Sequence, residues 1–418
     1  MVKVAVVGCT HGELDALYAR IDDFNASKQL PDDRIRLLLC CGDFESLRNA
    51  IDLACKACPP KYRHMNSFHA YYHGAKRASV LTIFIGGNHE ASNYLQELRY
   101  GGWVAPNIFY LGASGVVHVA GLRIAGISGI YHAKHYRSGQ YETAPYTKKT
   151  IDSVYCVREY QVHQLSHLTP SVLAREKPSL DVFLSHDWPT HIENHGDIDA
   201  LLRERPDFQK SIGDNRFGNP GSEYLLHALQ PTRWLAGHMH IRFEATVPHP
   251  SLTLNAADQD SPHATTHFLA LSKCKPNEAC MEVLDLVPGS QTTTNDELLR
   301  VMMDVEWLAI LRATHHLASH SRQPVDLPEE KMGITADDIA WVEKRLDEVH
   351  TASSVDNDKV RGEWPTEFVM MAPPWDGASD ETMPKTSRES VLGNPQTDSF
   401  LIFLELPHVV TTPYAPVE

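Results

Sequence analysis

Several short apolar runs in this chain end on polar, chemically reactive residues. Val2 to Val7 (VKVAVV) leads into Gly8, Cys9, Thr10 and His11. Ile35 to Cys40 (IRLLLC) leads into Gly42, Asp43, Phe44 and Glu45, and Val80 to Ile85 (VLTIFI) into Gly86, Gly87, Asn88, His89 and Glu90. Leu180 to Leu184 (LDVFL) leads into Ser185, His186 and Asp187, and Trp234 to Ala236 into Gly237, His238, Met239 and His240. Runs this short and rich in Val, Ile and Leu predict buried strands. The segments between the first three are long enough for helices. That is an α/β pattern, which collects ligands beyond the carboxyl ends of its strands.

Further strands are predicted at Val116 to Ala120, Leu122 to Ile127, Thr266 to Leu271 and Met281 to Leu286. The pair around Gly121 reads as a hairpin turning at Ala120-Gly121. From about Thr294 the texture becomes helical, with apolar spacing over Leu298 to His320 and Ala336 to Val349; Thr335 stands three residues before Asp338, a capping pattern. Residues 351–397 are polar with scattered Pro and Gly and read as a flexible linker. Phe400 to Leu406 (FLIFLEL) is apolar again, so the tail is expected to return to the body. The division that follows is a catalytic domain over 1–290 and a mostly helical, acidic C-terminal domain over 291–418.

Charge is unevenly spread. From residue 289 onward there are 10 Lys and Arg against 23 Asp and Glu, a net of −13, which leaves −2 of the total −15 for residues 1–288. Between Leu53 and His89 stand Lys56, Lys61, Arg63, Lys76 and Arg77 with no acidic residue. The front of the molecule can therefore hold a phosphate backbone although the whole is acidic. No secretion signal and no apolar stretch of transmembrane length is read, so a soluble intracellular protein with no membrane association is expected. The eight cysteines are then expected as reduced thiols without disulfides. Cys55 and Cys58 form a C-x2-C, but no second pair follows at zinc-finger spacing.

Five strand-end motifs carry possible metal ligands: Cys9 and His11, Asp43, Asn88 and His89, His186, and His238 and His240. A lone His is more often structural and a lone Asp after a strand is often a helix cap. Five such motifs, each closing an apolar run, predict one metal centre. Cleaving a phosphodiester needs a strong nucleophile at neutral pH and neutralisation of charge on the phosphate oxygens, and two divalent cations roughly 3.5–4 Å apart supply both. Like charges that close need a bridging anion, for which Asp43 is the natural choice. The glycines at 42, 87 and 237 are expected to let the backbone turn tightly. In an extended segment His238 and His240 would point the same way. His89 carries an imidazole, the side-chain type suited to proton transfer to a leaving group at neutral pH, with Glu90 as a candidate to orient its ring.

In order and residue type these motifs resemble the calcineurin-like metallophosphoesterase family, whose pattern is D-x-H, G-D, G-N-H-[DE], H and G-H-x-H. The resemblance implies a two-sheet β-sandwich flanked by helices and two divalent metal ions. It places His11, Asp43 and His240 on the first metal, Asp43, Asn88, His186 and His238 on the second, and His89 at the phosphate or the leaving group. The chain departs from the pattern at its first position, where Cys9 replaces Asp. Within the family that swap is similar to the RNA lariat debranching enzymes. Three other segments resemble them as well: an insertion at about 131–165, Thr266 to Cys274 (THFLALSKC) and Gly393 to Asp398 (GNPQTD). The resemblance implies hydrolysis of the 2′–5′ phosphodiester at the branch point of lariat intron RNA and a nuclear location, although no compact basic targeting cluster is present; a monomer is expected. As a thiolate, Cys9 favours Zn2+ or Fe2+ over magnesium; Mn2+ is the third ion expected.

Residues 131–177 interleave basic and aromatic side chains, a composition suited to flexible RNA. Candidate contacts are Tyr131, His132, Lys134, His135, Tyr136, Arg137, Tyr141, Tyr146, Lys148 and Lys149, with Arg175 and Lys177 further on. A stripe of tyrosines is also what a packed core contains. Two other readings stay open: a 3′–5′ nuclease or phosphoprotein phosphatase on the same scaffold, or a scaffold that has lost its metals.

Overall fold

Val4 and Val6 of the first strand face one buried apolar cluster, and Ala5 and Val7 face another. The same alternation holds in the next strand, where Leu37 and Leu39 lie on one side and Leu38 and Cys40 on the other. A strand covered on both faces has no polar face to show, which is why these runs read as continuous apolar stretches.

The computed structural model describes residues 1–168, 180–249, 264–275, 278–289, 299–330, 332–353, 361–364, 366–375, 377 and 393–407. Its strands are β1 (Val2–Val7), β2 (Leu37–Cys40), β3 (Leu81–Phe84), β4 (Gly102–Ala105), β5 (Ile108–Tyr110), β6 (Ser114–Val119), β7 (Leu122–Ile127), β8 (Val182–Ser185), β9 (Arg233–Ala236), β10 (Phe243–Pro248), β11 (Thr265–Ala270), β12 (Met281–Leu286) and β13 (Met302–Met303). They form two mixed sheets, in the orders β12-β1-β2-β3-β5-β4 and β10-β11-β9-β8-β7-β6-β13. β1, β2, β3 and β5 run parallel, as do β7, β8, β9 and β11. The inner faces of both sheets share one core, in which Val6, Leu39 and Ile83 belong with Ile124, Leu184 and Leu235. Each such leucine or isoleucine, fully buried, stabilises by about 1.5–3 kcal/mol. The outer face of the first sheet is covered by the helix Leu14–Ala26, whose Leu14, Leu17, Tyr18 and Ile21 follow the i, i+3, i+4, i+7 stripe.

The expected sandwich flanked by helices is the observed architecture. β6 and β7 form the predicted hairpin, with Ala120 at φ 52° and Gly121 at φ 80° in the turn. The capping pattern also forms: Asp338 N–H donates to Thr335 Oγ1 at 3.2 Å and Thr335 N–H to Asp338 Oδ2 at 2.9 Å, at the start of the helix Ala336–Ser353.

Other readings need correction. The helix expected over Leu298 to His320 is Val305–Thr314 with a 3-10 turn at His315–Leu317; Met302 and Met303 instead pair antiparallel with β6, and Asp304 caps the helix by accepting from Trp307 N–H at 2.8 Å. Leu298 lies outside the described residues, as do Arg175, Lys177 and much of 351–397. Within that stretch Trp364 is buried and meets Phe109 and Phe400 at ring separations of 4.8 and 5.3 Å. The tail returns as expected, with Phe400, Leu401, Phe403 and Leu404 buried in the helix Pro395–Phe403 and the residue that ends it. Gln396 serves the free edge of β4, accepting from Trp103 N–H and donating to Trp103 carbonyl, both at 2.8 Å. β4, β5, β10 and β13 were not among the predicted strands.

Candidate metal centre

The five motifs converge where β1, β2, β3, β8 and β9 end. Asp43 is at the middle. Its carboxylate lies 3.7 Å from Nε2 of His11 and 3.5 Å from Nε2 of His186, and Oδ1 accepts the backbone N–H of His89 at 2.8 Å. Burial pushes this carboxyl up, but the imidazoles of His186, His11 and His89 outweigh it and hold it well below the usual carboxylate range. On one side of Asp43, His11 faces His240 with 3.2 Å between their Nε2 atoms. Ligand atoms of Cys9, His11, Asp43 and His240 all fall within 4.8 Å of one another. On the other side, Nε2 of His186 is 3.2 Å from Asn88 Oδ1, and the His186 and His238 rings are 4.9 Å apart.

Tautomers show what this arrangement can hold. Nδ1 of His186 lies 2.6 Å from the Cys41 carbonyl, which can only accept, so the proton is on Nδ1. Burial, partly offset by Asp43, lowers the pKa of this ring to about 4, so at neutral pH its Nε2 presents a bare lone pair. That lone pair meets an amide oxygen and a carboxylate oxygen. Nδ1 of His11 lies 3.3 Å from the Glu45 carboxylate, which turns its Nε2 toward Asp43. Acceptors pointed at one another repel unless a cation lies among them, so the donor set at His186 fits a divalent ion, and the cluster of Cys9, His11, Asp43 and His240 on the other side of Asp43 could hold a second. His240 is kept neutral too, its pKa lowered to about 3 by burial and by Lys273, whose Nζ is 3.3 Å from Nδ1.

Cys9 is buried at the first cluster, and its Sγ accepts the His238 N–H at 3.1 Å. Burial and the nearby Asp43 raise the thiol pKa well above its ordinary value. Only a cation would therefore make it a thiolate here.

The loops are built tightly. His11, Asp43, His238 and His240 have φ of 47°, 46°, 63° and 53°, left-handed conformations that cost non-glycine residues on the order of 1–3 kcal/mol each. His238 and His240 therefore do not lie along an extended segment. They point to opposite halves of the centre, toward His186 and His11, while Trp188 Nε1–H holds the Gly237 carbonyl at 2.9 Å. Gly42 has φ 104°, as a tight turn requires. At Gly87 the reason is space: a Cβ would lie 2.2 Å from Asp43 Oδ1.

His89 stands beside this centre, its ring 5.7 Å from that of His11. Glu90 does not orient it. Its carboxylate instead accepts the N–H groups of Phe44 and Glu45 at 2.8 Å and of Gly87 at 2.9 Å, tying together the loops after β2 and β3. The His89 ring is fixed by the Ala57 carbonyl, 2.9 Å from Nδ1.

The insertion is rooted at the centre through Gly129 N–H to Gly86 carbonyl at 2.8 Å and Tyr131 N–H to Asp187 at 3.1 Å. His132, Lys134, Lys148 and Lys149 are exposed on it, and His135 is half-buried. Arg137 is exposed but paired with Asp326 at 2.8 Å. The tyrosines are half-buried and engaged within the protein: Tyr131 and Tyr136 pack edge to face at 5.3 Å, Tyr141 bonds Ser153 Oγ at 3.3 Å, and Tyr146 donates to Gln96.

Family models agree with this geometry. That of the calcineurin-like phosphoesterases matches residues 2–242, and that described as the lariat debranching enzyme, C-terminal domain, matches residues 263–409. A lariat debranching enzyme of Mus musculus is 42% identical over 399 residues, covering 96% of this chain and 67% of its own. One of Arabidopsis thaliana is 38% identical over 413 residues, covering 98% and 87%. The chain belongs to the lariat debranching enzyme family.

Membership in the lariat debranching enzymes does not by itself point to the residues behind the ligands. Glu45 bonds His11, accepts from Asn66 at 3.1 Å and pairs with Lys56 at 2.6 Å, all buried or half-buried. Lys273 stands behind His240. The only signal for Glu45 was its place two residues after Asp43, and for Lys273 its place in the THFLALSKC segment.

Proposed function

We propose that this chain hydrolyses the 2′–5′ phosphodiester at the branch point of excised lariat intron RNA and releases a linear RNA. What supports the reading above all is Cys9 within the cluster of His11, Asp43 and His240, in a chain of the lariat debranching enzyme family. His11, His240 and Cys9 would hold one ion and Asn88, His186 and His238 the other, with Asp43 between. Divalent ions at such a centre supply Lewis acidity toward the phosphate and lower the pKa of the attacking water. Glu45 and the Cys41 carbonyl orient the rings of His11 and His186, so that Nε2 faces inward in both. His89, held through its Nδ1–H, would act as the imidazolium and give its Nε2 proton to the departing 2′-oxygen, which would otherwise leave as an alkoxide.

Zn2+, Fe2+ and Mn2+ suit a site of one thiolate, imidazoles and a carboxylate. RNA contact is assigned to the exposed Lys134, Lys148, Lys149 and His132. A monomer acting in the nucleus completes the proposal. The test is turnover of a synthetic 2′–5′ branched RNA against a linear 3′–5′ RNA of the same sequence, with each metal in turn. Cleavage of the branch alone is expected. Equal cleavage of both would make this a general nuclease, and no cleavage with both ions bound would reject the reading.

A further inference from the structure

Arg99 and Ser92 face a cavity that the chemistry above leaves unused. It measures about 860 Å³ including its open mouth, and lies between the Gly86-Gly87 turn and the insertion. Its walls include the apolar Leu95 and Val154 and the rings of Tyr110 and Tyr155. Pockets that are mostly apolar with a few placed polar groups take small organic ligands.

The charges indicate which kind. Two carboxylates reach the cavity, and both are already engaged: Glu90 by three backbone N–H groups, Glu142 by Arg158 at 2.6 Å and Ser153 at 2.5 Å. Arg99 has no acidic partner among the described residues, although it is half-buried. The hydroxyl of Ser92 is buried and has no hydrogen-bond partner among the described residues. Buried polar atoms are seldom left unpaired, and an unpaired guanidinium in a partly dry cavity attracts an anion. Gly86 and Gly87, which precede the ligand Asn88, put this cavity directly beside the metal centre.

We propose that the cavity binds one nucleotide, with its phosphate on Arg99 and its base in the tyrosine-lined part. The debranching reading, on which this part rests, favours a nucleotide of the branched RNA as the source; a free nucleoside monophosphate has the same chemistry.

The experiment titrates adenosine monophosphate into the metal-free full chain, so that ions do not capture the phosphate, and compares wild type with Arg99→Gln, Arg99→Lys and Ser92→Ala. Circular dichroism melts confirm that each variant folds. Wild type is expected to bind the nucleotide, Arg99→Gln to bind it at least about tenfold more weakly, and Arg99→Lys to recover part of the loss. Adenosine should bind wild type as weakly as the monophosphate binds Arg99→Gln. Debranching kinetics then separate the sources. If Arg99→Gln raises KM for branched RNA while kcat holds, the occupant is part of the substrate; if KM is unchanged, it is a free nucleotide. No binding to wild type, or equal binding to Arg99→Gln, overturns the proposal. A wild-type protein that fails to debranch would overturn the function above and still leave the titration decisive for the cavity.

Discussion

Nδ1 of His89 lies 2.9 Å from the carbonyl oxygen of Ala57. A carbonyl only accepts, so Nδ1–H is held there and Nε2 faces the substrate, where donating a proton requires the imidazolium form. A positioned proton donor accelerates departure of an alkoxide by about 10²–10⁴-fold. His89→Ala should therefore lose that factor on branched RNA and much less on an aryl phosphodiester, whose leaving group needs no proton. Both metals should remain bound. Equal losses on the two substrates would leave His89 a phosphate binder.

Gly87→Ala should be as damaging as removing a ligand. The new methyl would lie 2.2 Å from Asp43 Oδ1 and 2.8 Å from His186 Cε1, and neither side chain can retreat from its packed position. Metal analysis after dialysis should find at least one ion lost, with the melting temperature of the metal-free protein little changed. A variant that keeps full metal content would show that the centre can shift.

How far the sequence discloses this centre depends on the range of the interaction. Each ligand ends an apolar run, so Asp43 and His186 are legible locally. The outward-facing half of a strand usually betrays itself by polar residues, but here both faces are covered, and only the run length indicated strand. What pairs with what was not legible. Glu90 and His89 are neighbours in sequence, yet Glu90 serves the backbone of another loop and His89 depends on Ala57, 32 residues away. Tyrosines spaced through the insertion look alike whether they stack on bases or on each other, and only packing distinguishes Tyr136 from an exposed ring. Trp364 sits in a stretch whose Pro and Gly suggested a linker, and its burial depends on Phe109 and Phe400 from distant segments.

Cys9→Asp would place a hard oxygen ligand where the softer sulfur stands. Metal preference should move toward manganese or magnesium and away from zinc or iron. Activity against each metal concentration, measured in both proteins, checks this. Superimposable profiles would mean that Sγ does not ligate and serves only as the acceptor of the His238 N–H.

Lys134, Lys148 and Lys149 are exposed, whereas Arg137 is paired with Asp326. If the three lysines contact phosphates, replacing all of them by Gln should make the dependence of log affinity on log salt shallower by about 2. Changing Arg137 alone should matter less. An unchanged slope in the triple variant would place the RNA on another face.

Asp304 ties the C-terminal region to the second sheet, and its energetics can be read by pH. The buried carboxylate accepts Nε and Nη2 of Arg123 at 2.7 and 2.9 Å and lies 2.7 Å from His118 Nε2. Burial raises its pKa, but Arg123 and His118 prevail and hold the carboxyl well below its usual range. A carboxyl depressed on folding stabilises fully above its unfolded pKa, about 3.9, and loses that contribution as pH falls below it. Asn caps a helix about as well as Asp, so Asp304→Asn keeps the cap and removes the charge. It leaves Arg123 its pair with Glu306 at 2.9 Å. The cost should be about 3–5 kcal/mol at pH 7, as for breaking a buried pair. Urea unfolding of the metal-free protein at pH 7 and at an acid pH near 3.5 makes the comparison. The gap between wild type and variant should narrow at the lower pH, because Asp304 of the unfolded chain takes up a proton there while the folded carboxylate stays ionised. A gap that stays constant would show that the loss at Asp304 is one of packing, not of charge.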